Sequence, residues 1–150
     1  MGERVGMSFV IETPVYSSDW DELIAKLPGA HVLQSFEWGL VKRQTGWKPI
    51  FCTWRDEHGE TLAAALVLER KAALGRVPSG MQVLYVPRGP LLDWGNAGLR
   101  RQVLADLVEL THRRRAIFIK IDPDVRIGMG IPTGSEKQEE PLGLDLKADL

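Results

Sequence analysis

The sequence predicts an α/β fold with a mixed sheet, in which antiparallel and parallel strands are neighbours. Two strand patterns, Trp47–Arg55 and Thr61–Arg70, flank turn residues that end in Gly59, which predicts an antiparallel hairpin. A strand pattern at Met81–Val86 is followed by a helical pattern and a strand pattern at Ala116–Ile121. A strand, a helix and a strand in succession form a parallel pair with a right-handed crossover, so the sheet contains both kinds of neighbour.

The other elements follow from capping residues and hydrophobic spacing. Cap-type residues precede two short helices, and glycine or proline follows each of them. Apolar residues recur at helical spacing from Leu99 to Thr111, which predicts an amphipathic helix packed on the sheet. In chain order the predicted elements are a strand Ser8–Thr13, helices Trp20–Leu27 and Phe36–Thr45, strands Trp47–Arg55, Thr61–Arg70 and Met81–Val86, a helix Ala97–Arg114 and a strand Ala116–Ile121.

Composition restricts the class of protein. The 150 residues suffice for one domain with a sizeable core, and 44% apolar and 26% charged residues are ordinary for a globular chain. The net charge of −1 gives no general attraction to DNA or to an acidic membrane. The single cysteine, Cys52, excludes an internal disulfide, and its apolar neighbours indicate a buried structural thiol. Because no signal peptide or membrane-length apolar run occurs, we expect a cytoplasmic protein without a transmembrane segment.

The character of the chain changes after Val125. Residues 1–125 hold all the predicted strands and helices, whereas residues 126–150 are rich in glycine, proline and charge and have no strand pattern. We therefore predict a domain over residues 1–125 and a flexible linker or truncated tail over residues 126–150. Residues from Pro141 onward have the pattern of the start of one more helix.

The segment Tyr85–Asp93, YVPRGPLLD, is the first candidate for a functional site. Its two prolines fix φ and its glycine permits a sharp bend, so the loop has little conformational freedom. A stiff loop that holds a guanidinium (Arg88) and a carboxylate (Asp93) can present a charged pair to a ligand. A rigid turn with a solvated arginine explains the same pattern equally well.

Two further segments carry charge where a ligand can reach it. The predicted helix Phe36–Thr45 contains Lys42 and Arg43, which can supply positive charge to a phosphate. An amphipathic surface helix with its tryptophan in the core fits the same pattern better. Asp122 follows a strand at its carboxyl end, where ligand sites of α/β sheets concentrate, although Asp before proline also starts simple turns.

The residue patterns that other kinds of functional site require do not occur in the sequence. The three histidines share no metal-ligand spacing with acidic or thiol partners, so no metal site is predicted. No P-loop, dinucleotide-binding or nucleophile-elbow motif occurs. The segment Arg126–Gly130, RIGMG, is similar to the glycine turn by which acetyltransferases hold a pyrophosphate. Its spacing is one residue short and no helical pattern follows it, so we predict no cofactor.

The chain resembles the Fem family of peptidoglycan-bridge aminoacyltransferases in three segments. In chain order they are HVLQSFEWGLVKRQTGW, YVPRGPLLD and AIFIKIDPDV. The resemblance covers Gly29 to about Val125 and implies an incomplete GNAT-like acyltransferase fold, the N-terminal part of the first of a pair of such domains. Family members move an amino acid from aminoacyl-tRNA onto the stem peptide of a cell-wall precursor, which is lipid-linked or still on its uridine nucleotide.

The resemblance also implies where the ligand binds. In the family, the helix lysine and the YxPRGP loop lie at the cleft that accepts the precursor, which carries over to Lys42, Tyr85, Arg88 and Asp93. Asp122 is the candidate for the base that takes the proton of the attacking amine. The implied partners are the precursor and aminoacyl-tRNA, which acts as co-substrate and not as a resident cofactor.

Two other functions stay open on the sequence alone. One is an acyl-CoA-dependent N-acyltransferase, which needs the pyrophosphate turn, and the other is a non-catalytic GNAT-like binding module. Because acceptor-type segments are present without a donor-binding motif, we expect this polypeptide to bind the precursor weakly and to transfer nothing by itself. We also expect Lys42, Tyr85 and Arg88 to converge on one concave, accessible face.

Overall fold

The computed structural model describes residues 6–74, 77–126, 128–130, 137–139, 145 and 148–149. Within these residues the chain forms a five-stranded sheet, three α-helices and a separate two-stranded sheet. In chain order the elements are β1 (Ser8–Glu12), α1 (Ser17–Ile24), a 3-10 turn (Val32–Gln34), α2 (Phe36–Gln44), β2 (Lys48–Arg55), β3 (Thr61–Leu74), β4 (Val77–Val86), α3 (Ala97–Arg113), β5 (Ala116–Ile121), β6 (Gly128–Gly130) and β7 (Lys137–Glu139).

The larger sheet is mixed, as predicted. Its strands lie in the order β1-β2-β3-β4-β5, and β1 to β4 are antiparallel neighbours. β5 lies parallel to β4, with Tyr85 opposite Lys120. Because β4 and β5 run in the same direction, the residues that follow them, beginning at Pro87 and Asp122, meet at one end of the sheet.

Most elements lie where the sequence predicts them. β1, β2, β5, α2 and α3 begin and end within one residue of their predicted bounds. α1 begins earlier, at Ser17, because the Asp19 carboxylate accepts a hydrogen bond from the Tyr16 N–H at 3.0 Å and caps its first turn. β3 and β4 are longer than predicted because their cross-strand pairing continues as far as Leu74 opposite Val77.

Apolar side chains cover both faces of the sheet, so the core has two layers. On one face α3 packs on the sheet, and on the other face α1 and α2 do so. The first layer centres on Cys52, Trp54, Leu84, Val86, Leu99, Val103 and Leu107, and the second on Trp20, Ile24, Phe51, Leu66, Leu68 and Leu91.

β5 is an edge strand with an irregular register. From the pair Gln82–Ala116 to the pair Leu84–Ile119, β5 advances by three positions and β4 by two. The extra residue forms a bulge at Ile117 and Phe118. Both side chains are more than half exposed, at 56% and 54%.

The residues after Val125 differ from the prediction in one respect. Gly128–Gly130 and Lys137–Glu139 form a short antiparallel pair, β6 and β7, where we predicted no strand. Three-residue strands are too short to show an alternating pattern in sequence, which is why the prediction was wrong. Of the helix predicted from Pro141 onward, the described residues Asp145, Ala148 and Asp149 are helical and the others lie outside the described residues. The boundary between 1–125 and 126–150 stays a prediction.

Candidate functional site

The chain leaves the sheet after β4 and returns to it at Leu91. Tyr85 is paired with Leu68 of β3. Leu91 forms an isolated bridge with Ala64, in which the Ala64 N–H donates to Leu91 O at 3.0 Å and the Leu91 N–H donates to Ala64 O at 2.8 Å. Leu66 lies midway between these two pairs, opposite the part of the chain that is out of the sheet. Both ends of the Arg88 loop (residues 87–90) are therefore fixed by the same strand.

The side chain of Gln34 fills the gap beside Leu66. Its Oε1 accepts from the Leu66 N–H at 2.7 Å, and its Nε2 donates to Leu66 O at 3.4 Å and to Pro87 O at 2.5 Å. Its backbone carbonyl accepts from Nε1 of Trp20 at 2.7 Å. Gln34 is fully buried, and an amide is tolerated there because its polar atoms are hydrogen-bonded. Gln34 thus joins β3 to the start of the Arg88 loop.

Gly89 lies directly against Gln34. A Cβ atom at this position would lie 3.0 Å from Cδ and Nε2 of Gln34 and 3.0 Å from Cγ1 of Val86. Contacts this short force a neighbour to move. The loop can approach the buried amide only because residue 89 has no side chain.

Arg88 has a fixed backbone and a loosely held side chain. Its φ of +50° is in the left-handed region, which is unfavourable for residues other than glycine. The Arg88 N–H donates to Oδ1 of Asp122 at 2.6 Å, which holds the backbone in this conformation. Its guanidinium is 47% exposed and lies 3.7 Å from Oδ1 of Asp124. Exposed pairs of this kind contribute roughly 0–1 kcal/mol, so the Arg88 charge can exchange partners readily.

Asp122 also holds the side chain of Tyr85. The Tyr85 hydroxyl donates to Oδ2 of Asp122 at 2.9 Å. Partial burial, followed by the hydrogen bond to Asp122, raises the pKa of Tyr85, so the hydroxyl stays protonated and able to donate. Asp122 therefore uses one oxygen for the Arg88 loop and the other for the Tyr85 hydroxyl.

A groove of about 300 Å³ lies beside the Arg88 loop. Asp93 contributes to its wall, and its carboxylate accepts from the Gly95 N–H at 2.9 Å in a tight turn before α3. The groove therefore carries both signs of charge on one accessible surface. The charged residues that line it are Arg88, Asp93, Asp124 and Arg126.

Lys42 lies outside this groove. It is on α2, and its Nζ lies 4.8 Å from the ring centroid of Trp38. Trp38 and Tyr85 pack on the same buried cluster, so Lys42 and Tyr85 share one face of the sheet. Lys42 is not among the described residues that line the groove next to Arg88. That Lys42 converges on one concavity with Tyr85 and Arg88 therefore stays a prediction.

Lys42 is one member of a row of cations on this face. Arg70 lies 5.6 Å from the ring centroid of Trp47, and Lys120 lies 5.4 Å from that of Tyr85. The Trp47 N–H donates to Lys42 O at 3.1 Å, which connects the first two members. Within the described residues, none of the three cations forms an ion pair with a carboxylate. A cation on an aromatic face keeps its charge available to a ligand, so this cation row (Lys42, Arg70 and Lys120) favours an anion.

Other kinds of site are not supported by the described residues. They contain no cluster of three or more His, Cys, Asp or Glu that could hold a metal ion. None of the helices in this part of the chain has the length and hydrophobicity needed to cross a membrane. Gly128–Gly130, part of the RIGMG segment, belongs to strand β6. That the protein has no cofactor stays a prediction.

Comparison with known proteins identifies the family. The model of the FemAB family matches residues 16–141, which is most of the chain and includes the Arg88 loop, α2 and β5. The chain belongs to the FemAB family. The Fem-family resemblance drawn from the three sequence segments is therefore confirmed.

Two curated FemAB relatives illustrate the extent of the match. A lipid II:glycine glycyltransferase of Staphylococcus haemolyticus (strain JCSC1435) is 29% identical over 119 residues, which are 78% of this chain and 27% of that protein. A lipid II:glycine glycyltransferase of Staphylococcus aureus is 28% identical over 117 residues, covering 77% of this chain and 26% of that protein. The chain thus spans about a quarter of the length of the curated relatives that it matches.

Solved structures show the same fold. A crystal structure of FemX superimposes on 94% of this chain and 31% of its own, with a TM-score of 0.69 and 24% identity. An acetyltransferase of Trypanosoma brucei matches 79% of this chain and 83% of its own, with a TM-score of 0.51 and 17% identity. The GNAT-like fold predicted for this FemAB family chain is therefore confirmed.

The predicted site residues of this FemAB chain fall into two groups. Tyr85, Arg88 and Asp122 are joined by hydrogen bonds, and Asp93 lines the groove that Arg88 also lines. Lys42 lies apart from them, on the same face of the sheet. Their roles in binding or catalysis stay predictions.

Sequence reasoning missed Gln34, the residue that holds the loop. Its one signal in the sequence is that a polar residue stands between an apolar pair and the N-cap Ser35. A surface polar residue is equally common at such a position. The contact with Pro87 joins residues 53 positions apart, so no local pattern could reveal it.

Proposed function

We propose that this chain supplies acceptor-binding residues to an enzyme that transfers an amino acid onto a peptidoglycan precursor. Membership of the FemAB family and similarity to lipid II:glycine glycyltransferases support this reaction class. The acceptor is a lipid-linked or uridine-nucleotide-linked muropeptide, and the donor is aminoacyl-tRNA.

The observation that carries the proposal is the way in which Arg88 is presented. Gln34 and Asp122 bind the two ends of the peptide group between Pro87 and Arg88, and Gly89 lets the loop approach the core. Among the described residues, the guanidinium itself is held only by Asp124 at 3.7 Å. A phosphate group of the precursor can displace that carboxylate and form charge-assisted hydrogen bonds with a guanidinium whose backbone is already ordered.

The cation row adds positive charge on the face of the sheet that α2 and Tyr85 share. Lys42, on α2, comes first of the three cations along the chain, and Lys120 lies next to Tyr85 on the neighbouring strand. A precursor carries a pyrophosphate and carboxylates at separate points, so charges spread over the face can hold it at more than one place. The Tyr85 hydroxyl, already a donor to Asp122, can accept a hydrogen bond from a sugar hydroxyl or a peptide N–H.

The reaction is the attack of an amine of the stem peptide on the ester carbonyl of aminoacyl-tRNA. A new C–N bond forms and the C–O bond to the terminal ribose breaks, while the proton lost by the amine is balanced by the proton gained by the ribose oxygen. Positioning of the two reactants supplies a large part of the rate enhancement in such a step. Residues that hold the acceptor rigidly are thus the contribution of this part of the chain.

Asp122 has two candidate roles in this scheme. As a base it would take the proton of the amine. As a positioning residue it would keep the Arg88 N–H and the Tyr85 hydroxyl in place, which is what its two oxygens do. The second role has more support, because both oxygens already accept hydrogen bonds from the protein.

Calorimetric titration with a uridine-nucleotide-linked muropeptide tests the acceptor site. We expect Arg88→Ala and Lys42→Ala each to weaken binding by about tenfold, the loss of one charge-assisted contact. Arg113→Ala is the matched control, because Arg113 is exposed on α3 and paired only locally with Glu109. Affinity unchanged in both site variants would show that the acceptor does not bind here.

A transfer assay with aminoacyl-tRNA separates binding from catalysis. We expect the 150-residue polypeptide to bind the precursor and to form no product. Product formation would show that donor contacts are also present in it. In an active FemAB protein that includes this segment, Asp122→Asn should mainly weaken acceptor binding if Asp122 positions the loop. A loss of turnover with unchanged binding would instead identify Asp122 as the base.

A further inference from the structure

We propose that Arg100 is a positioning residue that couples the segment around Asp145 and Asp149 to the wall of the groove beside Arg88. Arg100 is on α3 and its side chain is completely buried. The inference rests on the proposed function only in taking this groove as part of the ligand site.

One side of the Arg100 guanidinium faces the groove wall. Its Nη1 donates to the backbone carbonyl of Trp94 at 2.7 Å. Trp94 lines the groove together with Asp93, and the Asn96 N–H donates to Asp93 O at 3.0 Å. The segment 92–96, whose residues 92–95 line the groove, is therefore fixed to α3 through Arg100.

The other side of the same guanidinium faces the end of the described chain. Nε and Nη2 of Arg100 donate to Oδ2 of Asp149 at 2.8 Å and 2.5 Å, and Nη2 also donates to Oδ2 of Asp145 at 3.2 Å. The second oxygen of Asp149 accepts from Nε of Arg101 at 3.0 Å. Asp145 and Asp149 are both helical, and both carboxylates accept from the same guanidinium.

The guanidinium can link two separate segments because its donors are held in one plane. A lysine ammonium is a compact charge and cannot reproduce this fork. A buried guanidinium that loses its carboxylate is strongly disfavoured, so it must turn toward another acceptor or toward water. Either movement withdraws the donor from Trp94 O and releases the groove wall.

Hydrogen exchange of the whole chain, followed by mass spectrometry, tests this coupling. We expect Asp149→Ala to accelerate exchange of the amides of residues 92–96 by about tenfold, the loss of a hydrogen bond to a charged group. Exchange in the central strand β3 should accelerate less, because the described hydrogen bonds of the Arg100 guanidinium go to residues outside the sheet. Arg100→Lys should keep the charge yet accelerate the same amides, since one ammonium cannot reach both segments.

Glu109→Ala is the control, because it breaks an exposed ion pair with Arg113 on the same helix and far from the groove wall in sequence. Exchange of residues 92–96 that is unchanged in Asp149→Ala would overturn the coupling. Equal acceleration in β3 and in residues 92–96 would do the same, since it would mean only a general loss of stability. If Arg100→Lys does not fold, Asp149→Ala alone decides the matter.

Precursor titration separates this inference from the proposed function. If the groove wall loosens in Asp149→Ala and affinity falls, as it does in Arg88→Ala, both are supported. If the wall loosens while neither variant changes affinity, the coupling holds and the acceptor site is wrong. If affinity falls in Arg88→Ala while the wall is unaffected in Asp149→Ala, the acceptor site holds and the coupling is wrong.

Discussion

Gln34 and Pro87 are 53 positions apart in sequence, and the Gln34 side-chain amide donates to the Pro87 carbonyl at 2.5 Å. The same amide is bonded to the backbone of Leu66, which would otherwise face a gap in the sheet. The start of the Arg88 loop is therefore part of the sheet's hydrogen-bond network, although it lies outside the sheet. This connection makes a buried side chain responsible for the geometry of an exposed arginine.

Gln34→Leu should destabilise the protein by about 3 kcal/mol. The substitution keeps a similar volume but leaves the Leu66 N–H and the Pro87 carbonyl buried without partners, and each such group costs about 1–3 kcal/mol. Urea unfolding followed by tryptophan fluorescence measures the loss. Gln44→Leu is the control, because Gln44 is exposed at the end of α2. Equal unfolding free energies for the two variants would contradict the role assigned to Gln34.

Gly89→Ala should destabilise by about 1–3 kcal/mol, the usual result of forcing a methyl group into a packed site. The new Cβ would lie 3.0 Å from Gln34 and Val86, so the loop must move away from the core. Thermal unfolding measures the effect. Gly6→Ala is the matched control, since nothing lies within 4 Å of a Cβ built there. A Gly89→Ala protein as stable as Gly6→Ala would mean that the loop has room to adjust.

Tyr85→Phe should lower the unfolding free energy by about 1 kcal/mol, since it removes the hydroxyl that donates to Asp122 at 2.9 Å. Tyr16 is the other tyrosine of the chain, and it is exposed. Tyr16→Phe therefore changes the same chemical group at a position where no loss is expected. Chemical denaturation of the two variants gives the comparison, and equal values would show that the Tyr85 hydroxyl does not stabilise the loop.

Cys52 should not react with thiol reagents in the folded protein. Burial raises the pKa of its thiol to about 12, with Arg114 acting weakly in the opposite direction. The nucleophilic thiolate is therefore absent at mildly alkaline pH, and the sulfur is inaccessible as well. A disulfide-exchange reagent should modify Cys52 at the rate of unfolding, and rapidly in urea. Rapid reaction in native buffer would contradict the buried position.

The link between Arg100 and Asp149 should persist at neutral pH and fail only in strong acid. Hydrogen bonds from Arg100, and then from Arg101, lower the pKa of Asp149 below its ordinary value. Because the folded pKa is the lower one, the stabilisation is fully present above the unfolded pKa and is lost as the pH falls through the folded pKa. Exchange of residues 92–96, corrected for its intrinsic pH dependence, should be constant down to the ordinary range of aspartate. A change near neutral pH would be inconsistent with this assignment.

The strands and helices were predictable where their signals are local. α2 has its N-cap Ser35 and a closing glycine, and β5 is an apolar run ended by Asp122-Pro123. The β6 and β7 pair was not predictable, because three residues give no periodicity. The local sequence thus predicted the elements of the larger sheet more accurately than it predicted the structure of the segment after Val125.

The candidate site was predictable only in part. The loop residues and Asp122 follow parallel strands, whose carboxyl ends must lie together, and the hydrogen bond from the Arg88 N–H to Asp122 reflects that rule. Nothing local relates Gln34 to the loop, or Arg100 to Asp149, since each pair meets only after the layers have packed. Prediction therefore succeeded where topology alone brings residues together.

The bulge at Ile117 and Phe118 should also oppose self-association of the protein through the edge of β5. A straight edge strand with two exposed apolar side chains is a template on which the edge of another molecule can add, which is the first step of aggregation. The extra residue interrupts the regular spacing of the outward N–H and C=O groups and increases the local twist. Deleting Phe118 would restore that spacing, and it should lower the concentration at which the protein precipitates.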